Sequence, residues 1–139
     1  MKKVTLSVFA LSLVFLATGC GDSPDSVMKD TIALTNEAAA ALESAKDSPD
    51  KAKAKLEEIA TKLEKVAERA KKLGKLDKDK KEALQKKFKS EGEEAGKKFQ
   101  EATKKLASSP EAAKELTAPM LKFAAAAAEI GKALGGEEK

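Results

Sequence analysis

Three times along this chain a serine, a proline and an acid stand in a row: Ser23-Pro24-Asp25, Ser48-Pro49-Asp50 and Ser109-Pro110-Glu111. Each triplet is a three-part helix start. Serine is a favoured N-cap, because its hydroxyl accepts from a first-turn amide that has no partner inside the helix. Proline suits the first helical position, where a missing N–H costs nothing. The acid then meets the positive end of the helix dipole. A fourth start is expected at Leu76-Asp77, after a break at Gly74, with Asp77 as the cap. These signals divide the chain into helical segments over about 24–46, 49–73, 77–107 and 110–134.

The apolar spacing supports that division. In the second segment Ala52, Leu56, Ile59, Leu63, Val66, Ala70 and Leu73 alternate steps of four and three. The fourth carries Ala113 (or Ala112), Leu116, Met120, Phe123, Ala127, Ile130 and Leu134 in the same rhythm. The third is looser, with Leu84, Phe88, Gly92, Ala95, Phe99, Ala102 and Leu106. The first is the loosest: Met28, Ile32, Thr35, Ala39 and Leu42 share one face, with Val27, Leu34, Ala38 and Ala45 beside it. No stretch alternates with period two, so no strand is expected. Long helices with short links pack as antiparallel neighbours. The expected fold is all-α, an antiparallel four-helix up-down bundle over 24–134, with a three-helix bundle as the alternative. Pro119 should kink the fourth helix, and 135–139 should be a flexible tail.

The core is thin. Beyond Gly21, alanine outnumbers Leu, Ile, Val and Phe together; it favours helix but buries little area. Such a composition resembles that of desiccation-protection proteins, so a largely disordered protective protein is an alternative. The regular seam at 52–73 argues against it.

Ahead of the bundle, Met1-Lys2-Lys3 gives a basic start and Val4 to Leu16 an uncharged run. In a helix that run spans ~20 Å, short of a ~30 Å hydrocarbon core, as in an export signal. Ala17-Thr18-Gly19 then lead into Cys20, the only cysteine. The segment resembles the lipobox of bacterial lipoproteins, with Ala17 where that family more often has leucine. The resemblance covers residues 1–20 only. It implies that 1–19 is a signal peptide (a signal helix before cleavage). Cys20 would then carry a diacylglyceryl group and palmitate-type acyl chains, with 20–23 as a short linker. The location implied is the extracytoplasmic or periplasmic face of a bacterial cell envelope. Without the resemblance, Cys20 reads as a buried free thiol, or the signal as an ordinary secretory one cleaved near Gly19.

The chain has 27 basic and 23 acidic residues, net +4. The acids dominate residues 21–50 and the lysines 51–105. The densest basic run, KKLGKLDKDKK at 71–81, falls at the turn between the second and third helices. Much of this charge reads as solvated helix faces, with favourable acid-then-base spacings of four at Glu58–Lys62, Glu68–Lys72, Asp77–Lys81, Glu82–Lys86, Glu93–Lys97, Glu94–Lys98 and Glu101–Lys105. If Cys20 sits in a bilayer, however, the second helix returns toward it. Lys71, Lys72, Lys75, Lys78, Lys80 and Lys81 are then candidate contacts for anionic lipid or cell wall.

Catalytic chemistry finds few residues. There is no histidine, hence no histidine-based triad or metal ligand, and no thiol beyond Cys20 for a nucleophile. Glu91, Glu93 and Glu94 look like an exposed helix face rather than a metal site. No cofactor motif appears, and the lack of Tyr and Trp speaks against nucleic-acid stacking. Gly92 and Gly96 are expected to let a neighbouring helix approach; Phe88, Phe99 and Phe123 are expected in the core. The function expected is therefore non-catalytic: an envelope lipoprotein, not an enzyme, whose coiled-coil-like bundle binds an envelope protein or itself. A peptidoglycan tether through Lys139 is the alternative, on a likeness to the murein lipoproteins of enteric bacteria limited to a lipobox, heptads and a final lysine. A carrier of small apolar ligands is a third class.

Overall fold

Ser23 starts the first helix with both halves of a capping box. Its hydroxyl accepts from the Ser26 amide at 3.1 Å, and the Ser26 hydroxyl accepts from the Ser23 amide at 3.1 Å. The computed structural model describes residues 22–135. The expected signal peptide, Cys20 and residues 136–139 lie outside the described residues.

Four helices follow: α1 (Pro24–Ser44), α2 (Pro49–Leu73), α3 (Lys78–Leu106) and α4 (Pro110–Ala133). Asp77 caps α3, accepting from the Lys80 amide at 2.9 Å. Ser48 and Ser109 occupy the N-cap positions of α2 and α4, but their hydroxyls make no capping bond. The cause is the tightness of the preceding turns. Each serine's own amide is tied back to the helix before it, Ser48 to the Ser44 carbonyl at 3.1 Å and Ser109 to the Leu106 carbonyl at 2.8 Å. Their ψ angles are 74° and 83°, against 153° at Ser23, and the hydroxyl then misses the first-turn amides. Proline and the acid, Asp50 or Glu111, remain as start signals there. Gly74 ends α2 at φ 71°, a left-handed conformation that glycine adopts without strain. Across Pro119, α4 continues as one helix, with the proline ring fully buried.

Cross-helix ion pairs fix the directions. Arg69 near the end of α2 meets Asp22 and Asp30 at the start of α1, so these two run antiparallel. Lys87 meets Asp25 and Lys105 meets Glu43, each at 3.0 Å, with the same chain offset, so α3 lies parallel to α1 in a constant register. Lys71 meets Glu129 at 2.8 Å, where α2 and α4 both end. Direction therefore alternates up-down-up-down along the chain, an all-α four-helix bundle.

The lateral order is less regular than the short links suggest. α1 and α2 form the centre, α3 packs on α1 and α4 on α2, while α3 and α4 barely meet. The physical reason lies in α2. Besides the row Leu56, Ile59, Leu63, Val66 and Ala70, it buries Ala60 and Ala67 beside that row, a stripe wide enough to need two neighbours. α1 covers one side. α4, with Leu116, Phe123 and Ile130 buried, offers more apolar surface than the lysine-rich α3 and takes the other. Four link residues, 74–77, extend to ~14 Å, enough to carry the chain across the bundle diagonal.

The two-sided positions of α1 and α2 also explain which residues are buried. In α1 the core residues are Val27, Leu34, Ala38, Ala39, Ala41 and Leu42, whereas Met28 and Ile32 are only partly covered. In α3, Leu84, Phe88, Ala95, Ala102 and Leu106 are buried and Phe99 half-buried. No polar or charged residue is buried among the described residues.

Gly92 and Gly96 differ from expectation. A Cβ at either would meet nothing within 4 Å, so neither glycine serves a close helix approach. Where α3 does touch α4, Phe99 stacks on Phe123 at 5.1 Å.

Candidate functional site

The end of the bundle that holds Asp22 also holds the α2–α3 turn, the start of α3 and the end of α4. It gathers the whole basic run. Arg69, the only arginine in the chain, organises it. Its Nε donates to Asp22 Oδ1 at 2.6 Å, Nη1 to Asp30 Oδ2 at 2.6 Å and Nη2 to the Ser26 hydroxyl at 3.0 Å. The hydrogen bonds to Asp30 and then Asp22 raise its already high pKa further. This fork spends three donors on α1 and fixes the chain's entry point at the end of α2. A lysine has no such planar array of donors.

The six candidate lysines do not form one equivalent set. Lys71 is bound to Glu129, whose carboxyl it holds below the usual range by a hydrogen bond. Lys80 pairs with Asp77 at 3.0 Å, and Lys78 reaches Glu82 at 4.0 Å. Asp77 is held below its ordinary pKa first by the Lys80 amide and then by the Lys80 side chain. Lys72, Lys75 and Lys81 have no ion-pair partner among the described residues. Lys81 is half-buried: a Cβ on Gly135 would stand 3.3 Å from its ammonium, so the Lys81 side chain lies against the end of α4. Lys132, in the last turn of α4, joins this end. The sequence reading missed it because it lies far from the basic run, and missed Arg69 because nothing local marks a residue whose partners are some forty positions away.

Of the seven expected pairs spaced four apart, Glu58–Lys62 and Glu94–Lys98 form, both at 2.7 Å. Lys105 leaves Glu101 for Glu43, Asp77 caps α3 and pairs with Lys80, and Glu82 faces Lys78. Tertiary partners and caps compete with local pairs worth only ~0.2–0.5 kcal/mol each.

Elsewhere the surface offers little built chemistry. A shallow, open depression on α3 is lined by Met28, Gln85, Phe88, Lys89, Gly92 and Glu93, with no buried polar group to orient a ligand. Phe88 and Phe123 are in the core cluster and Phe99 packs against it. Among the described residues no three Asp, Glu, Cys or His side chains converge as metal ligands, and no helix is long and apolar enough to cross a membrane. Comparisons with protein-family models, with characterised proteins and with solved structures return no match to this chain.

Proposed function

We propose that this chain is a non-catalytic lipoprotein of a bacterial envelope. Acyl chains on Cys20 hold it to the membrane, and the helical bundle acts by binding an envelope protein or another copy of itself. The observation that carries the reading is the run from Met1 to Cys20, a basic start, an uncharged stretch and small residues before the only cysteine. Two or three acyl chains hold a protein on a bilayer where one does not, since each buried methylene contributes about 0.8 kcal/mol. Further support comes from the position of Asp22, two residues after Cys20 and tied by Arg69 to the bundle end. An anchor there leaves the remaining length of the bundle, roughly 30 Å of helix, projecting from the membrane with its sides available to a partner.

The same geometry weighs against a tether through Lys139. α4 returns to the end where α1 begins, and four residues beyond Gly135 extend at most ~14 Å. The buried core of α1 and α2 weighs against a largely disordered protective chain.

Membrane fractionation tests the anchor. The wild-type chain is expected in the membrane pellet at high salt and released only by detergent. A Cys20→Ser chain is expected in the soluble fraction. Equal partition of the two would refute the proposal.

A further inference from the structure

Resting on the anchor reading for its orientation, we infer that the lysine-bearing end of the bundle docks on an anionic bilayer surface. Its contacts are Lys72 and Lys75 at the α2–α3 turn, Lys81 on α3 and Lys132 on α4.

The argument starts from a census of charge at the two ends. At the anchor-side end most acids are already engaged inside the protein: Asp22 and Asp30 by Arg69, Asp25 by Lys87, Asp77 by Lys80, Glu82 by Lys78 and Glu129 by Lys71. Asp79 and Glu68 are the acids there without an ion-pair partner among the described residues. The four lysines outnumber them, and they come from three elements that the fold brings to one rim. The far end differs. There Lys46, Lys51, Lys104 and Lys114 are interspersed with Asp47, Asp50, Glu111 and Glu115, so the bundle carries its excess positive charge at one end.

Distance supplies the second part. Asp22 lies within hydrogen-bond reach of Arg69, and the two peptide steps from Asp22 back to Cys20 span at most ~7 Å. A bilayer holding Cys20 therefore lies within about one Debye length of this rim, where lysine attraction to anionic headgroups is not yet screened. Lys72 and Lys75 are exposed, and Lys81 and Gly135 fix the rim between α3 and α4. Acyl chains would limit how far the bundle leaves the surface, and the lysines would set which end faces it.

The test uses residues 21–139, which contain the entire described core and no cysteine, so its outcome is independent of acylation. Binding is measured by co-sedimentation with phosphatidylcholine vesicles, with and without about one-third phosphatidylglycerol, at about 0.15 M salt. The wild-type bundle is expected to prefer the anionic vesicles by about tenfold or more. Combined Lys72→Gln, Lys75→Gln, Lys81→Gln and Lys132→Gln should remove about tenfold of that affinity. Combined Lys46→Gln, Lys51→Gln, Lys104→Gln and Lys114→Gln, an equal charge change at the far end, should change it by less than about twofold. Glu137 and Glu138 are kept in every variant, and circular dichroism verifies that each remains helical. No preference for anionic vesicles, or equal losses in the two variants, would overturn the inference. Failure here leaves the fractionation result for Cys20 standing, and the reverse also holds.

Discussion

Arg69 Nε lies 2.6 Å from Asp22 Oδ1, joining the last third of α2 to the residue just before the α1 N-cap. With the second arm on Asp30 and the third on Ser26, one side chain determines where the chain enters the bundle. Arg69 is 30% exposed and its two carboxylate partners somewhat more so, so solvent screening keeps the fork modest, about 1 kcal/mol. Arg69→Gln is expected to lower the thermal midpoint by about 4 °C. Arg69→Lys should recover only part of that, because an ammonium cannot reproduce the fork. A double-mutant cycle with Asp30→Asn should give a positive coupling; strictly additive effects would mean that the Arg69–Asp30 arm contributes nothing.

Leu63 is fully buried and central in α2, whereas Leu121 on α4 is 66% exposed. Removing the first leaves a cavity in the core. Leu63→Ala should cost about 2–5 kcal/mol, a large part of the stability of a small domain whose core is rich in alanine. Leu121→Ala should change stability by less than about 0.5 kcal/mol. Chemical denaturation of both variants checks the pair, and similar losses would contradict the assignment of α4's buried face.

The loose α3–α4 side should be visible in amide exchange. α1 and α2 each pack on two helices and α3 chiefly on one, so the slowest-exchanging amides are expected in α1 and α2 and faster ones in α3. Phe99 and Phe123 close the remaining side by stacking. A double-mutant cycle on them should give ~0.5–1.5 kcal/mol. Exchange in α3 as slow as in α2 would contradict this packing order.

Stability should be flat in the middle of the pH range and fall at both ends. Hydrogen bonds from lysines hold Glu58 (Lys62, then Lys55), Glu94 (Lys98) and Glu129 (Lys71) below the usual carboxylate range, and the Lys80 amide does so for Asp77. Carboxylates depressed in the folded state stabilise it fully above their unfolded pKa of about 4 and lose that contribution as pH falls through the folded values. Lys62 and Lys105 are raised by the hydrogen bonds they donate to Glu58 and Glu43. Their contribution is complete below about pH 10 and is lost as pH rises through the folded values. With no histidine in the chain, the thermal midpoint of the 21–139 bundle should be constant between about pH 5.5 and 9. The losses outside that window should shrink in 1 M salt, because all these pairs are exposed. A transition near pH 6.5 would contradict the account.

The helices were legible because their signals are local. Pro24, Pro49 and Pro110 each stand at a helix start, Asp77 caps α3 as expected, and Gly74 ends α2. The seam of α2 is regular because its buried row is flanked only by alanines. In α1 the pattern blurs, since a helix covered on two sides has no single stripe. Lateral order was not legible, because it depends on which of α3 and α4 better covers Ala60 and Ala67, a comparison no local spacing encodes. The site was half legible for a similar reason. The run 71–81 is visible at once, but the engagement of Lys71 depends on Glu129, far along the chain, and Lys132 joins the set only because the fold brings the end of α4 alongside.

The mass of the intact protein purified from its native membrane tests the central claim most directly. The account predicts a polypeptide beginning at Cys20, heavier than its sequence by a diacylglyceryl group and, where the amine is also acylated, one further chain. A species that retains residues 1–19, or that begins at Cys20 with an unmodified thiol, would contradict it.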